Sequence, residues 1–272
     1  DMIEKYSDAA KASGARIVFS CGFDSIPFDL GVFFLQTEAK KKIGHMLTNV
    51  KGRVRKMQGT FSGGTAASFM ASMAAIQKDP ELFKRQVNPF ALCEGFVGAQ
   101  QPPSHKPKLD EELGVWVAPF IMESINSKNV HRSNALLSHV YGEDFTYNEM
   151  MIAGSGEKGK AIAEGIAGAN MFGGDNVPQP GEGPSKEERE AGCYDVLIVG
   201  TDAHGHELRA GVTGDKDPGY GSTSKMIAEA AICLVREATE TPGGIWTSAP
   251  AMGAPLIERL RANAGLTFDV ES

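Results

Sequence analysis

The sequence predicts an α+β protein, an antiparallel-rich mixed sheet with helices covering one face, entered through the closing part of an α/β unit. Three observations carry this. Tyr194, Val196 and Ile198 alternate, Ala203-His204-Gly205 turns, and Leu208, Ala210 and Val212 alternate back, the period-two pattern of a hairpin. Apolar residues at helical spacing recur between the strands, as a helical layer on one face of a sheet requires. The apolar run Arg16-Ile17-Val18-Phe19-Ser20 sits between two helical segments and reads as a buried parallel strand.

The elements follow in order. Ile3, Tyr6 and Ala10 recur at helical spacing and Gly14 stops that helix. After the strand at 16–20 comes the loop Cys21-Gly22-Phe23-Asp24-Ser25-Ile26-Pro27-Phe28-Asp29, and Pro27 suits the first turn of a helix running to Lys40-Lys41-Lys42. A parallel strand needs partners that the few residues before it do not supply. The chain therefore reads as the back part of a larger protein, with strand 16–20 lacking neighbours or pairing with another chain. Residues 45–61 read as an extended strand, and Ser62-Gly63-Gly64-Thr65 opens a helix with Phe69, Met73 and Ile76 on its inward face. Residues 87–113 form a long ordered loop, Val115–Phe120 a strand that Pro119 places at an edge or an end, and Met122–Leu137 a helix. The Gly/Pro/Glu-rich stretch 169–190 is a loop and the best candidate for disorder. After the hairpin, Ser222 or Thr223 caps a helix with Ile227, Ala230, Ala231 and Leu234 turned inward.

Composition bounds the function. The 272 residues are 42% hydrophobic and 22% charged, ordinary for a chain that buries a core. A formal charge of −7 argues against nucleic acid, which is held by Lys and Arg. The best apolar stretch, Gly114–Met122, is about half of the ~18 residues a transmembrane segment needs. Cys21, Cys93, Cys193 and Cys233 form no CxxC pair and read as free thiols of a reducing, cytoplasmic compartment. Oligomeric state, including a homo-oligomer, stays open.

The loop C-G-F-D-S-I-P-x-D at Cys21–Asp29, Ser62-Gly63-Gly64-Thr65 at a helix head, Arg132-Ser133-Asn134-Ala135-Leu136-Leu137, Asp217-Pro218-Gly219-Tyr220 and Gly243-Gly244-Ile245-Trp246-Thr247 occur in this order. Together they resemble the saccharopine dehydrogenase-like oxidoreductases, and within them the bacterial branch that includes trans-acting enoyl reductases. The resemblance implies that residues 1–42 are the C-terminal remnant of a Rossmann-type dinucleotide-binding domain and 43–272 an α+β substrate domain. It also implies an NAD or NADP cofactor with most of its site outside this chain, and a small-molecule substrate carrying a carbonyl, imine or enoyl group. Carried over position by position, it puts Cys21, Gly22, Phe23 and Asp24 at the cofactor edge.

Each candidate has a plainer alternative. Ser62, Gly63, Gly64 and Thr65 suit a ligand contact, because paired glycines let a backbone approach and a helix N-terminus offers N–H donors, or else a simple N-cap. Arg132 suits a two-point carboxylate clamp, with Asn134 beside it for the substrate, or a structural ion pair. Phe23 is either a cofactor neighbour or a core residue, and Asp24 either a contact or a helix cap. Tyr220 reads as a buried tyrosine at a domain joint more readily than as a proton donor. Gly154-Ser155-Gly156-Glu157-Lys158-Gly159 matches a dinucleotide pattern, but the acid that should follow, Asp175, lies in a Gly/Pro loop, so a turn entering a surface helix is expected. His204 and His206 beside Asp202 sit in a hairpin turn with no further ligand nearby in sequence, and no metal is expected. No catalytic residue is assigned. The function expected is hydride transfer; the alternative is a binding or scaffold module that keeps the fold without turnover.

Overall fold

The computed structural model describes residues 2–169 and 177–271. Its elements run α1 (Met2–Ser13), β1 (Arg16–Val18), α2 (Ile26–Lys42), β2 (Asn49–Gln58), α3 (Gly63–Lys78), α4 (Pro80–Val87), β3 (Lys108–Asp110), β4 (Val115–Pro119) and α5 (Glu123–Leu136). They continue with β5 (Thr146–Gly154), α6 (Gly156–Gly168), α7 (Lys186–Ala191), β6 (Cys193–Thr201), β7 (Glu207–Gly214), α8 (Gly221–Arg236), β8 (Gly244–Trp246), α9 (Ser248–Arg259) and β9 (Leu266–Glu271). The main sheet has the order β3-β4-β5-β2-β6-β7-β9, and only β2 and β5 pair in parallel. This is the antiparallel-rich mixed sheet that the alternating segments predict.

Period-two alternation gives the sheet two unlike faces. Val50, Val54, Tyr147, Tyr194, Val196, Ile198, Ala210, Val212 and Phe268 point to the face covered by α2, α5, α8 and α9, and all are buried. Lys51, Arg53, Asn148, Asp195 and Glu271 point the other way, where charges stay wet or pair. α2 packs on β6, β7 and β9, and its Phe28, Leu30 and Leu35 are fully buried, each contributing about 2 kcal/mol by leaving water. Thus α2, expected to close the first unit, is the central helix of the main layer.

The strand at 16–18 does find a partner within the chain. β1 pairs in parallel with β8, Arg16 opposite Gly244 and Val18 opposite Trp246, which corrects the expectation that it lacks neighbours here; nor is it the buried strand expected, since Ile17 is 45% exposed. Two further expectations change. α3 is mostly exposed, with Phe69 at 40% and Met73 at 42% exposure, and buries Gly63 and Ala66 in place of the expected face. On α8, Met226 and Ala230 are buried while Ile227 is 56% exposed, so its apolar stripe lies one residue earlier. Asp175 lies outside the described residues. Among the described residues no helix is long and apolar enough to cross a membrane.

Candidate functional site

The loop after β1 is tightly tied. The Gly22 carbonyl accepts from Ser25 N at 3.1 Å and Ile26 N at 2.9 Å, reversing the chain before Pro27 opens α2. Phe23 turns its ring into the core, 4.8 Å from Tyr194 and 5.7 Å from Phe28, and donates its N–H to Thr223 Oγ1 at 2.9 Å. Burial, with Asp24 and Asp29 nearby, pushes the Cys21 thiol up to about 12, so it stays a neutral thiol. Asp24 is partly exposed, and burial raises its carboxyl above the ordinary range. Ser20, at the mouth of the loop, holds a left-handed φ of 56°, uncommon outside glycine.

Two buried polar groups anchor this loop. Asp29 accepts from Ser248 Oγ at 2.6 Å and Ala249 N at 2.9 Å, satisfying the first turn of α9 from a different helix. Asn129 donates to Ser25 Oγ at 2.6 Å and to Ser20 Oγ at 3.1 Å. Beside it on α5, Asn126 donates to Glu149 Oε2 at 2.8 Å, and Tyr147 OH donates to Glu149 Oε1 at 2.8 Å. A continuous polar seam therefore runs from Ser20 through α5 to the centre of the sheet.

Ser62 caps α3, its Oγ accepting from Thr65 N at 3.0 Å. Gly63 N donates to Glu182 O at 3.1 Å, and a Cβ at Gly63 would overlap the Gln179 carbonyl, so residues 179–183 lie over this turn. Gly64 and Thr65 are exposed, and a Cβ at Gly64 would meet nothing nearer than Ser62 Oγ at 3.5 Å.

Both turns lean on one segment, Asp217–Thr223. The buried Asp217 carboxylate accepts from Tyr220 N at 2.9 Å and Gly221 N at 2.6 Å, so Asp217 caps α8 in place of the expected Ser222 or Thr223. Thr223 reaches Phe23 as above, and Thr223 Oγ1 donates to Pro218 O at 2.7 Å. Pro218 and Gly219 press on Gly59 and Thr60, and the Tyr220 ring packs near Gly183 beside Ser62. Tyr220 itself is 43% exposed rather than buried.

Arg132 and Asn134 lie on α5, buried. The terminal nitrogens of Arg132 donate to Leu92 O at 2.6 Å and Ile245 O at 2.7 Å, and its guanidinium stacks 5.9 Å from the Phe19 ring centre. Asn134 donates to Gly142 O and accepts from Tyr141 N, both at 2.9 Å, closing the turn after α5. Both side chains thus bind main chain. Gly154–Gly159 is the entry to α6 that the plain reading expects; a Cβ at Gly159 would overlap the Gly154 carbonyl, so this glycine serves strand–helix packing.

A separate cavity of about 410 Å³ opens on the polar face of the sheet, lined among others by Lys51, Arg53, Lys108, Asp110 and Asn148. Arg53 and Lys51 bind Asp110 at 2.8 and 2.7 Å; burial pushes the Asp110 carboxyl up, but these cations outweigh it and hold it below the ordinary range. Lys51 and Arg53 are thus paired, while Lys108 Nζ donates to Pro103 O at 2.9 Å.

A trans-acting enoyl reductase of Mycobacterium bovis is 32% identical to this chain over 285 aligned positions, covering 95% of the chain and 68% of that protein. One from Mycobacterium ulcerans is 33% identical over the same shares. A Mycobacterium tuberculosis protein that bears this name provisionally is 37% identical, covering 98% of the chain and 70% of that protein. The chain belongs to the trans-acting enoyl reductase family. No protein-family model matches it.

Within this enoyl reductase family member, what the sequence reading misses is mostly polar and buried: Asn126, Asn129, Glu149 and Asp217. Asp217 had a local signal, the Asp-Pro-Gly turn; the others had none, since a polar helix such as α5 reads as a solvated one. Two neighbouring glycines separate fold from ligand contact. Gly63→Val is expected to lower the unfolding midpoint clearly, through the Gln179 overlap. Gly64→Val should leave it nearly unchanged and, if the turn meets a substrate, cut turnover at least about tenfold by blocking close approach. Unfolding curves and steady-state rates on both variants check this; equal turnover of Gly64→Val and the parent removes the turn from the site.

Proposed function

We propose that this chain supplies the substrate-facing part of an NAD(P)-dependent enoyl reductase, built on the saccharopine dehydrogenase-like plan. The observation that carries the reading is family membership. It is supported by the placement of the Cys21–Asp24 loop beyond the carboxyl ends of the parallel pair β1 and β8, where ligands of open α/β sheets bind. In this reading residues 1–42 are the end of the dinucleotide-binding domain and residues 43–272 form the substrate domain, the two joined by α2 packing on the large sheet and by β8 pairing with β1.

The residues present fit an edge of a dinucleotide and not the whole of it. The loop offers a short turn and a partly exposed acid, while Phe23 and its N–H are engaged by the fold. Cys21, Gly22, Phe23 and Asp24 would border the cofactor, with Phe23 acting through its position only. A bound nicotinamide supplies the hydride. The chain's own residues hold the enoyl group in place, exclude water and keep a proton available. Asp24 is the partly exposed acid of this loop, and burial shifts its carboxyl above the ordinary range. Ser62, Gly63, Gly64 and Thr65 form the substrate side of the same region, joined to the loop through Asp217–Thr223. Arg132 and Asn134 act as positioning residues that fix α5 behind it.

The test is twofold. NADH and NADPH are titrated by fluorescence against the protein, and nicotinamide oxidation is followed with an enoyl thioester and, separately, with an amino-acid imine. Enoyl-dependent oxidation supports the reading; imine-dependent oxidation alone replaces the substrate class. Both measurements are repeated on a version extended at its N-terminus by the rest of the dinucleotide-binding domain, and binding of the thioester without any turnover by that extended version returns the scaffold alternative.

A further inference from the structure

The end of α2 and the β6–β7 turn meet at the far edge of the molecule from the loop at Cys21. β2 and β6 are neighbours, with Asn49 opposite Thr201, so the connection entering β2 and the turn leaving β6 lie side by side. This brings His45 to Asp202 and His206 across a sequence gap that hid it. His45 Nε2 and His206 Nδ1 each lie 2.7 Å from Asp202 Oδ2. The ligand atoms of the three residues all fall within 4.8 Å of one another.

The carboxylate is held in place for this. Asp202 Oδ1 accepts from the main-chain N–H of His204 at 2.8 Å and of His206 at 3.0 Å. The turn is closed by Asp202 N donating to His206 O at 3.2 Å. Oδ2 is thereby aimed at the two imidazoles, the kind of second set of contacts that orients metal ligands. Both imidazoles are exposed, so the remaining coordination positions are open to water. A third imidazole, His204, has its ring centre 6.3 Å from that of His206.

We propose that His45, Asp202 and His206 form a binding site for a divalent transition ion of the zinc type, with His204 in reach as a fourth ligand. Two imidazole nitrogens and one carboxylate oxygen suit zinc and its neighbours rather than calcium or magnesium, which prefer oxygen alone. Metal–ligand lengths of about 2.0–2.1 Å require the three atoms to spread slightly from their present hydrogen-bonded spacing, which rotation of the exposed rings permits. The ligating nitrogens must be unprotonated, so each neutral ring carries its proton on the opposite nitrogen, His45 Nδ1 and His206 Nε2, and any proton displaced goes to solvent. The ion would clamp the α2–β2 connection to the β6–β7 turn and would not touch the region around Cys21. This inference stands apart from the enoyl reductase reading.

The test titrates the chelator-treated protein with zinc chloride by calorimetry and with cobalt chloride by visible absorption. The parent should bind one zinc, give a cobalt spectrum with nitrogen ligands, and melt higher with zinc present. His45→Ala and Asp202→Asn should each weaken zinc at least about tenfold, while His105→Ala, on a distant loop, should not. Circular dichroism confirms that the variants fold. No zinc binding by the parent, or equal affinity in parent and His45→Ala, overturns the site and leaves a histidine–carboxylate hydrogen-bond cluster.

Discussion

Asp29→Ala is expected to destabilise the protein by about 3 kcal/mol, since it strips partners from donors that water cannot reach. Ser248 Oγ and Ala249 N both point at Asp29 Oδ2, and the Ser133 hydroxyl also bonds the carboxylate. Ser248 and Ala249 are themselves buried, so each loses this partner outright, whereas Ser133 keeps its 2.6 Å contact with Thr247 Oγ1. The effect should be large because Asp29 joins three elements: it belongs to α2, caps α9 and touches α5. Asp29→Asn keeps an acceptor oxygen and should lose clearly less. Denaturant unfolding measures both, and a change below about 0.5 kcal/mol for Asp29→Ala would show that α9 holds its first turn by other means.

Glu149 should make stability fall as pH rises above the ordinary carboxylate range. It is fully buried beneath α5, and burial raises its carboxyl well above the ordinary range, against the hydrogen bonds from Asn126 and Tyr147. In the unfolded chain the group ionises near pH 4.3, whereas in the fold it keeps its proton, so the folded state binds more protons between those two values. Stability is then full below the unfolded value and declines by up to about 1.4 kcal/mol per pH unit until the folded value is passed. His131 acts oppositely at lower pH: burial pushes its imidazole down to about 4, so its contribution is lost as pH falls below about 6.5. Comparing the parent with Glu149→Gln across the whole interval above about pH 4.3 cancels that effect, which both proteins share. Glu149→Gln should flatten the decline there, giving a stability difference from the parent that shifts in the variant's favour with each step in pH. Parallel slopes for the two proteins would place an ionised Glu149 in the fold.

These two carboxylates show where sequence reading stops. The Cys21–Asp29 loop is conspicuous as a string, yet nothing local says that its last residue caps a helix more than two hundred positions later. Glu149 sits on β5, a strand that alternation does not mark, and its partner Asn126 comes from a helix rich in Ser and Asn. Such a helix looks solvated because periodicity weighs apolar faces only. In the fold, Asn126, Asn129, Arg132, Ser133 and Asn134 are all buried, because each satisfies a neighbouring loop, sheet or helix end. Conversely, Phe69, Met73 and Ile227 have helical spacing that suggests an inward face, and stand outward.

What the sequence by itself determined is local and periodic: the β6–β7 hairpin, the strand and helix that flank the Cys21 loop, the cap at Ser62, the plain turn at Gly154, and the antiparallel-rich sheet with one covered face. These follow from side-chain period, turn residues and capping groups, all acting within a few residues. The tertiary structure alone decided the pairing of β1 with β8, the burial of α2 and α5 in the main layer, Asp217–Thr223 as the segment joining both candidate turns, and the meeting of His45 with Asp202 and His206. Each of these depends on contacts between residues far apart in the chain, whose partners are chosen by sheet order and by the need to satisfy every buried polar group. A single sequence carries no periodic trace of either.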